Sequence, residues 1–146
     1  MKNQNTIGFK RNTKLLTPNG ILSFDILNNG DKINIYDKNG VIREGVVRSY
    51  SCEATQIVIL SRHKPGKHFA ELYRLQCAIG QQWMLQDGSI VSLLNHGDTL
   101  YQLPGDPSPW VVIDVNINNF PCEVWSVEES ETHTFVLRSG VVATGI

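Results

Sequence analysis

Hydrophobic residues along this chain come in short, often alternating runs, and residues that favour turns separate them about every ten positions. Lys32–Asp37 alternates, with Ile33 and Ile35 on one face. Val41–Tyr50, Thr55–Ser61, Phe69–Cys77, Trp110–Asn116 and Thr134–Leu137 read as further strands, rich in β-branched and aromatic residues. Between them stand Pro18-Asn19-Gly20, Asn39-Gly40, Pro65-Gly66, Asp87-Gly88, Pro104-Gly105 and Ser139-Gly140, the chemistry of tight turns. No window keeps a helical period of apolar residues for three turns. Ser23–Asn28 and Ser92–Asn95 are each long enough for a single helical turn. The pattern predicts an all-β domain of many short strands and hairpins.

The pattern also repeats. Leu16–Ile33 contains a turn glycine, a short apolar segment, the turn Leu27-Asn28-Asn29-Gly30-Asp31 and then a strand. Leu85–Leu100 contains the same series, with Leu94-Asn95-His96-Gly97-Asp98 as its turn. The copies lie about 68 residues apart, which predicts two half-domains related by a pseudo-twofold axis.

Size and charge narrow the function classes. The 146 residues suffice for one domain. Lys and Arg total 13 and Asp and Glu 14, a net charge of −1, so a general basic footprint for nucleic acid is excluded. The longest apolar runs, such as Ile57–Leu60 and Trp110–Ile113, fall far short of a membrane-spanning helix, and Met1–Lys10 lacks the apolar core of a secretory signal. Cys52, Cys77 and Cys122 are widely spaced with no C-x-x-C pair, and His63, His68, His96 and His133 do not cluster. No metal or cofactor is expected on these spacings. Glu128, Glu129 and Glu131 read as a solvated edge, and Arg62–His68 as an exposed basic hairpin tip without interleaved aromatics. Nucleic acid contact by that tip would show strong salt dependence.

One stretch carries a resemblance. Thr13-Lys14-Leu15-Leu16-Thr17-Pro18-Asn19-Gly20, an apolar segment, then Gly30-Asp31-Lys32-Ile33-Asn34-Ile35 resembles the opening of inteins, which share the Hint fold with hedgehog autoprocessing domains. Leu75–Gly88 is similar to the second splicing block, and Trp125–Ile146, with His133-Thr134-Phe135-Val136-Leu137, to the closing block. The resemblance runs from about Gly8 to Ile146 and implies a Hint-like domain with Thr13 close in space to Val141–Thr144, preceded by an N-terminal arm over residues 1–12.

The resemblance also assigns positions. The splicing nucleophile falls on Gly8, which has no side chain to attack with. The family's threonine and activating histidine of the second block fall on Ala78 and Gln81. The closing histidine and cyclising asparagine fall on Gly145 and Ile146 counted from the chain end, or the asparagine on Gly145 counted from Gly140. His133 is retained, and Ser126 stands where some members carry a cysteine. These substitutions predict a catalytically degenerate, non-enzymatic domain used for its shape, with fold and chemistry carried by different residues. The expected partners are proteins, in a homo-oligomer or a virion assembly, with no membrane. Because inteins are frequent in phage genomes, the resemblance implies a phage virion component (capsid decoration, adaptor or tail protein) located in the virion or host cytoplasm. The alternative is an autoprocessing intein-type domain performing protein splicing or self-cleavage, natural or inactivated by mutation.

Overall fold

A computed structural model describes residues 6–63, 66, 68–104 and 108–146. Its strands are β1 (Phe9–Lys10), β2 (Lys14–Thr17), β3 (Gly20–Ser23), β4 (Lys32–Tyr36), β5 (Ile42–Cys52), β6 (Thr55–Arg62), β7 (Glu71–Ala78), β8 (Trp83–Met84), β9 (Ile90–Val91), β10 (Val111–Asn118), β11 (Cys122–Glu128), β12 (Thr134–Val136) and β13 (Val142–Thr144). A 3₁₀ turn over Phe24–Ile26 is the single helical element among the described residues, and Ser23 caps it by accepting the Asp25 N–H at 3.1 Å. The sequence anticipated that turn, but Ser92–Asn95 forms no helical turn; Ser92 and Leu93 bend instead. The chain is all-β, as its turn spacing predicted.

Seven strands form one sheet in the order β10-β6-β7-β1-β11-β5-β4, and β12-β13-β8-β9 form a second of four. The internal repeat orders the large sheet. A shift of about 68 residues carries β1 to β7, β5 to β10 and β6 to β11. Applied to β10-β6-β7-β1-β11-β5, that exchange returns the same six strands read backwards. The pseudo-twofold axis therefore passes between β1 and β7, where Phe9 pairs with Cys77. The halves are intertwined: β5 pairs with β11 and β6 with β10, each a strand of the other half.

The repeated turns match bond for bond. Gly30 N–H donates to Val47 O at 2.7 Å, Asp31 N–H to Asn28 O at 3.0 Å, and Val47 N–H to Asp31 O at 2.8 Å. In the second copy Gly97 donates to Val112 at 2.8 Å, Asp98 to Asn95 at 3.0 Å, and Val112 to Asp98 at 2.8 Å. The carboxylates of Asp31 and Asp98 each accept the backbone N–H three residues earlier, at 2.8 Å. Gly30 and Gly97 sit at φ 93° and 94°, a conformation that favours glycine. The turns recur because the same aspartate and glycine solve the same docking problem against a long strand.

The core forms around aromatic rings from the start, middle and end of the chain. Phe9 meets Trp83 and Phe135 edge to face, at 5.8 and 6.1 Å between centroids, and Phe24 packs on Trp125 and Phe135. Such pairs add about 0.5–1.5 kcal/mol each beyond burial. Phe9 is fully buried in the central strand, so the arm drawn over residues 1–12 joins the sheet from Phe9 onward; residues 1–5 lie outside the described residues. The opening and closing segments also meet. Arg138 N–H donates to Lys14 O at 2.9 Å and Leu15 bridges Leu137, so the contact runs one to two residues beyond Thr13 and ahead of β13.

The matched turns give a direct test. Asp31→Ala and Asp98→Ala should each cost about 1–2 kcal/mol in urea unfolding, and the double variant should cost their sum. A large cost at one turn with none at the other would break the equivalence.

Candidate functional site

The positions that the resemblance singles out converge although they lie far apart in sequence. Gly8 precedes β1, Ala78 ends β7, Gln81 lies in the turn after it, and Thr144–Ile146 close the chain. Ala78 donates its N–H to Gly8 O at 2.8 Å. The Ala78 carbonyl is taken up by the Gln81 N–H at 3.1 Å, which leaves the N–H of the Ile7–Gly8 peptide bond without its ladder acceptor. The side chain of Gln81 supplies one: Oε1 accepts from Gly8 N–H at 2.8 Å.

The other end of that amide holds the C-terminal strand. The two protons of Gln81 Nε2 are shared among Thr144 O at 2.9 Å, Thr144 Oγ1 at 3.0 Å and Gln82 O at 2.8 Å, and the Thr144 hydroxyl donates to Gln82 O. Gln81 is 0% exposed. One neutral amide thus joins the first strand, the middle turn and the last strand. It touches the amide that splicing would break, but it carries no proton to transfer near neutral pH.

Two glycines define the space. A Cβ at Gly8, where φ is 145°, would lie 3.0 Å from Trp125 O and 3.0 Å from Val124 Cγ2. A Cβ at Gly145 would lie 2.2 Å from Val127 O, closer than any side chain can approach. Gly145 N–H donates to His133 O at 2.7 Å and Ile146 N–H to Val127 O at 3.0 Å, which holds the terminus against β11. Ala78 packs its methyl against Cys52 and Val124.

His133 contributes backbone. Its side chain is exposed, its φ is 56°, and its N–H donates to Glu129 Oε2 at 3.0 Å. Glu129 departs from the expected solvated edge: it is 2% exposed and accepts from Glu131, Thr132 and His133 N–H. Burial opposes its charged form, yet the N–H groups of Thr132, Glu131 and His133 and the Thr132 hydroxyl outweigh that and hold its pKa below the ordinary carboxylate value. Sequence reasoning missed Glu129 because a buried carboxylate capping a turn looks like a surface one until the turn closes.

Ser126 is fully buried and its Oγ has no hydrogen-bond partner among the described residues. Phe9 pairs with Trp125, so the same register brings Gly8 opposite Ser126. The three cysteines are free; Cys52 Sγ donates to Cys122 O at 3.2 Å, and burial raises the Cys52 and Cys77 thiols above their ordinary pKa. Among the described residues no three His, Cys, Asp or Glu side chains group as metal ligands. The basic tip Arg62–His68 lies partly outside the described residues. Arg62 itself stacks over Trp110 at 4.5 Å and reaches Glu71 at 3.5 Å.

No family model and no curated protein matches the sequence. Solved structures do match. The solution structure of a bacterial intein-like domain from Clostridium thermocellum aligns at TM-score 0.62 and 20% identity, over 99% of this chain and 99% of that chain. The gp41-1 intein aligns at TM-score 0.58 and 14% identity, covering 96% of this chain and 99% of that chain. A DnaB intein from Synechocystis sp. PCC 6803 aligns at TM-score 0.63 and 12% identity, covering 97% and 99%. The chain has the Hint fold of the inteins, over nearly its whole length.

Gln81→Ala should cost about 2–4 kcal/mol, because it strands the Gly8 N–H and both Thr144 acceptors in a dry site. Gly145→Ala should also destabilise, by about 2 kcal/mol or more, since the strand must shift to admit a methyl. Urea titrations of both variants check this. The Glu129 carboxyl has a folded pKa below its ordinary 4.5, so its stabilisation is present above that value and fades as pH falls through the folded pKa. Glu129→Gln should therefore lower the melting temperature at pH 7 and flatten its fall between about pH 5 and 3.

Proposed function

We propose that this chain is a Hint-fold domain without splicing chemistry, serving as a structural or interaction module. The observation that carries the reading is Gln81. The N–H of the Ile7–Gly8 bond is held by a neutral amide, next to a residue with no nucleophile, where an added Cβ would press on Trp125 O and Val124. The fit of Gly145 against Val127 supports it further, because a cyclising asparagine there would overlap the β11 backbone. Splicing needs nucleophile, activating group and cyclising amide together, so loss of all three is not repaired by restoring one.

A working autoprocessing domain is the second reading. One observation favours it: the buried Ser126 hydroxyl has no partner among the described residues and stands in register with Gly8. A serine without a neighbouring base remains a weak nucleophile, and no ionisable side chain bonds Ser126 among the described residues.

The expectation that the whole polar arm Met1–Arg11 lies on a neighbouring subunit does not hold from Phe9 onward, which enters this chain's own sheet; at a finer level we propose a virion component in which the residues ahead of Gly8 reach a neighbouring subunit. A near-zero net charge, which repels copies weakly, supports this.

With the chain fused between two reporter domains, mass spectrometry should show one unprocessed mass, and Gly8→Cys with added thiol should release nothing. A ligated or cleaved product would establish the second reading, and its loss in Ser126→Ala would name the nucleophile. Deleting Lys2–Ile7 should leave the domain folded and weaken its self-association in sedimentation; unchanged association would remove the virion reading.

A further inference from the structure

The large sheet contains an open edge in its interior. In β7, Ala78 sends its N–H to Gly8, so the even-numbered residues direct their backbone groups toward β1 and the odd-numbered ones toward β6. The β6 pairing covers β7 from Glu71 to Ala78 without a register shift. The β1 pairing covers only the end, where Phe9 meets Cys77, because the chain turns away as Thr13 N–H closes on Lys10 O. The N–H and C=O groups of Arg74 and Leu72 therefore face a gap and have no partner strand there among the described residues. Leu72 is 67% exposed.

That gap is a cleft with strong charge. A cavity of about 190 Å³ is lined by Lys10, Lys14, Arg74 and Arg138, with Thr13 and Gln76 beside them, and no carboxylate lines it. None of these four cations forms an ion pair among the described residues, although acidic residues outnumber basic ones in the chain. A second cavity of about 340 Å³ adjoins it along Glu71–Tyr73 and shares Tyr73 and Arg138; its carboxylate, Glu71, is taken by Arg62. Four like charges from four segments repel one another, and an anionic occupant relieves that repulsion.

We propose that this cleft takes an extended acidic peptide from a protein partner, added as a strand to the free edge of β7. Backbone groups of Arg74 and Leu72 would supply the ladder, and Lys10, Lys14, Arg74 and Arg138 would select carboxylate side chains. Two occupants from this chain fit poorly. Residues 1–7 hold one lysine and no acid, and in the acidic tract Glu128 is paired with Arg48 while Glu129 is turned inward. Stacking of single-stranded bases would need exposed rings, whereas Trp110 is buried, with Arg62 over its face and Tyr73 beside it. The proposal rests on the interaction-module reading, but peptide binding and reporter-fusion masses are separate readouts, so either can fail alone.

The test is fluorescence anisotropy with a labelled hexapeptide of alternating glutamate and valine, together with amide hydrogen exchange on the whole chain. Arg74 and Leu72 amides should exchange fast in the free protein and slow on peptide addition, while Tyr73 and Leu75 stay protected throughout. Arg74→Glu with Arg138→Glu should weaken binding about tenfold or more, and Lys32→Glu, on the far edge strand, should not change it. Binding should fall as salt rises. The proposal is overturned if the lysine analogue binds equally, if methylating alternate peptide nitrogens has no effect, or if an oligothymidylate of equal charge competes as well. It is also overturned if the same charge reversals abolish self-association of this chain instead.

Discussion

A buried backbone N–H must find an acceptor, and the one on Gly8 loses its natural acceptor where β7 turns away at Ala78. The rest of the structure is arranged around the repair. The Gln81 amide accepts from Gly8 and donates to Thr144, so the start and end of the chain are fixed to one side chain. In the dry interior that network is worth more intact than the sum of its bonds, and leaving any member unpaired is expensive. Because Gln81 places β1, it also places Phe9, whose ring meets Trp83 and Phe135 and so links the two sheets.

The same constraint sets what the site can do. An amide is a good clamp because it is neutral and carries a donor and an acceptor at fixed spacing. Those properties make it a poor proton carrier. Val127 approaches Gly145, and Trp125 approaches Gly8, so closely that both positions are held by tight backbone packing. Such packing makes this corner of the molecule rigid, and the turns and core of the Hint fold around it rest on other residues.

Intertwining of the halves leaves the protein an unusual surface. Since β5 and β6 each pair across the pseudo-twofold, β1 need only be two residues long to complete the sheet. Its shortness leaves part of β7 unpaired in the middle of the structure rather than at an outer edge. Clustered cations at such an edge discourage indiscriminate strand pairing.

The sequence by itself determined the all-β class, most strand positions and the repeated Leu-Asn-x-Gly-Asp turn. Turns and alternation are local chemistry, so they can be read locally. It did not reveal β11, where Val124, Trp125, Ser126 and Val127 are all buried and the two-residue period disappears. Nor did it reveal β1, too short to have a pattern, or the inward turn of Glu129. The functional weight of Gln81 and the open edge beside Arg74 were decided by tertiary structure alone. Both depend on which backbone groups remain unpaired after strands distant in sequence have met, and no local pattern encodes that remainder.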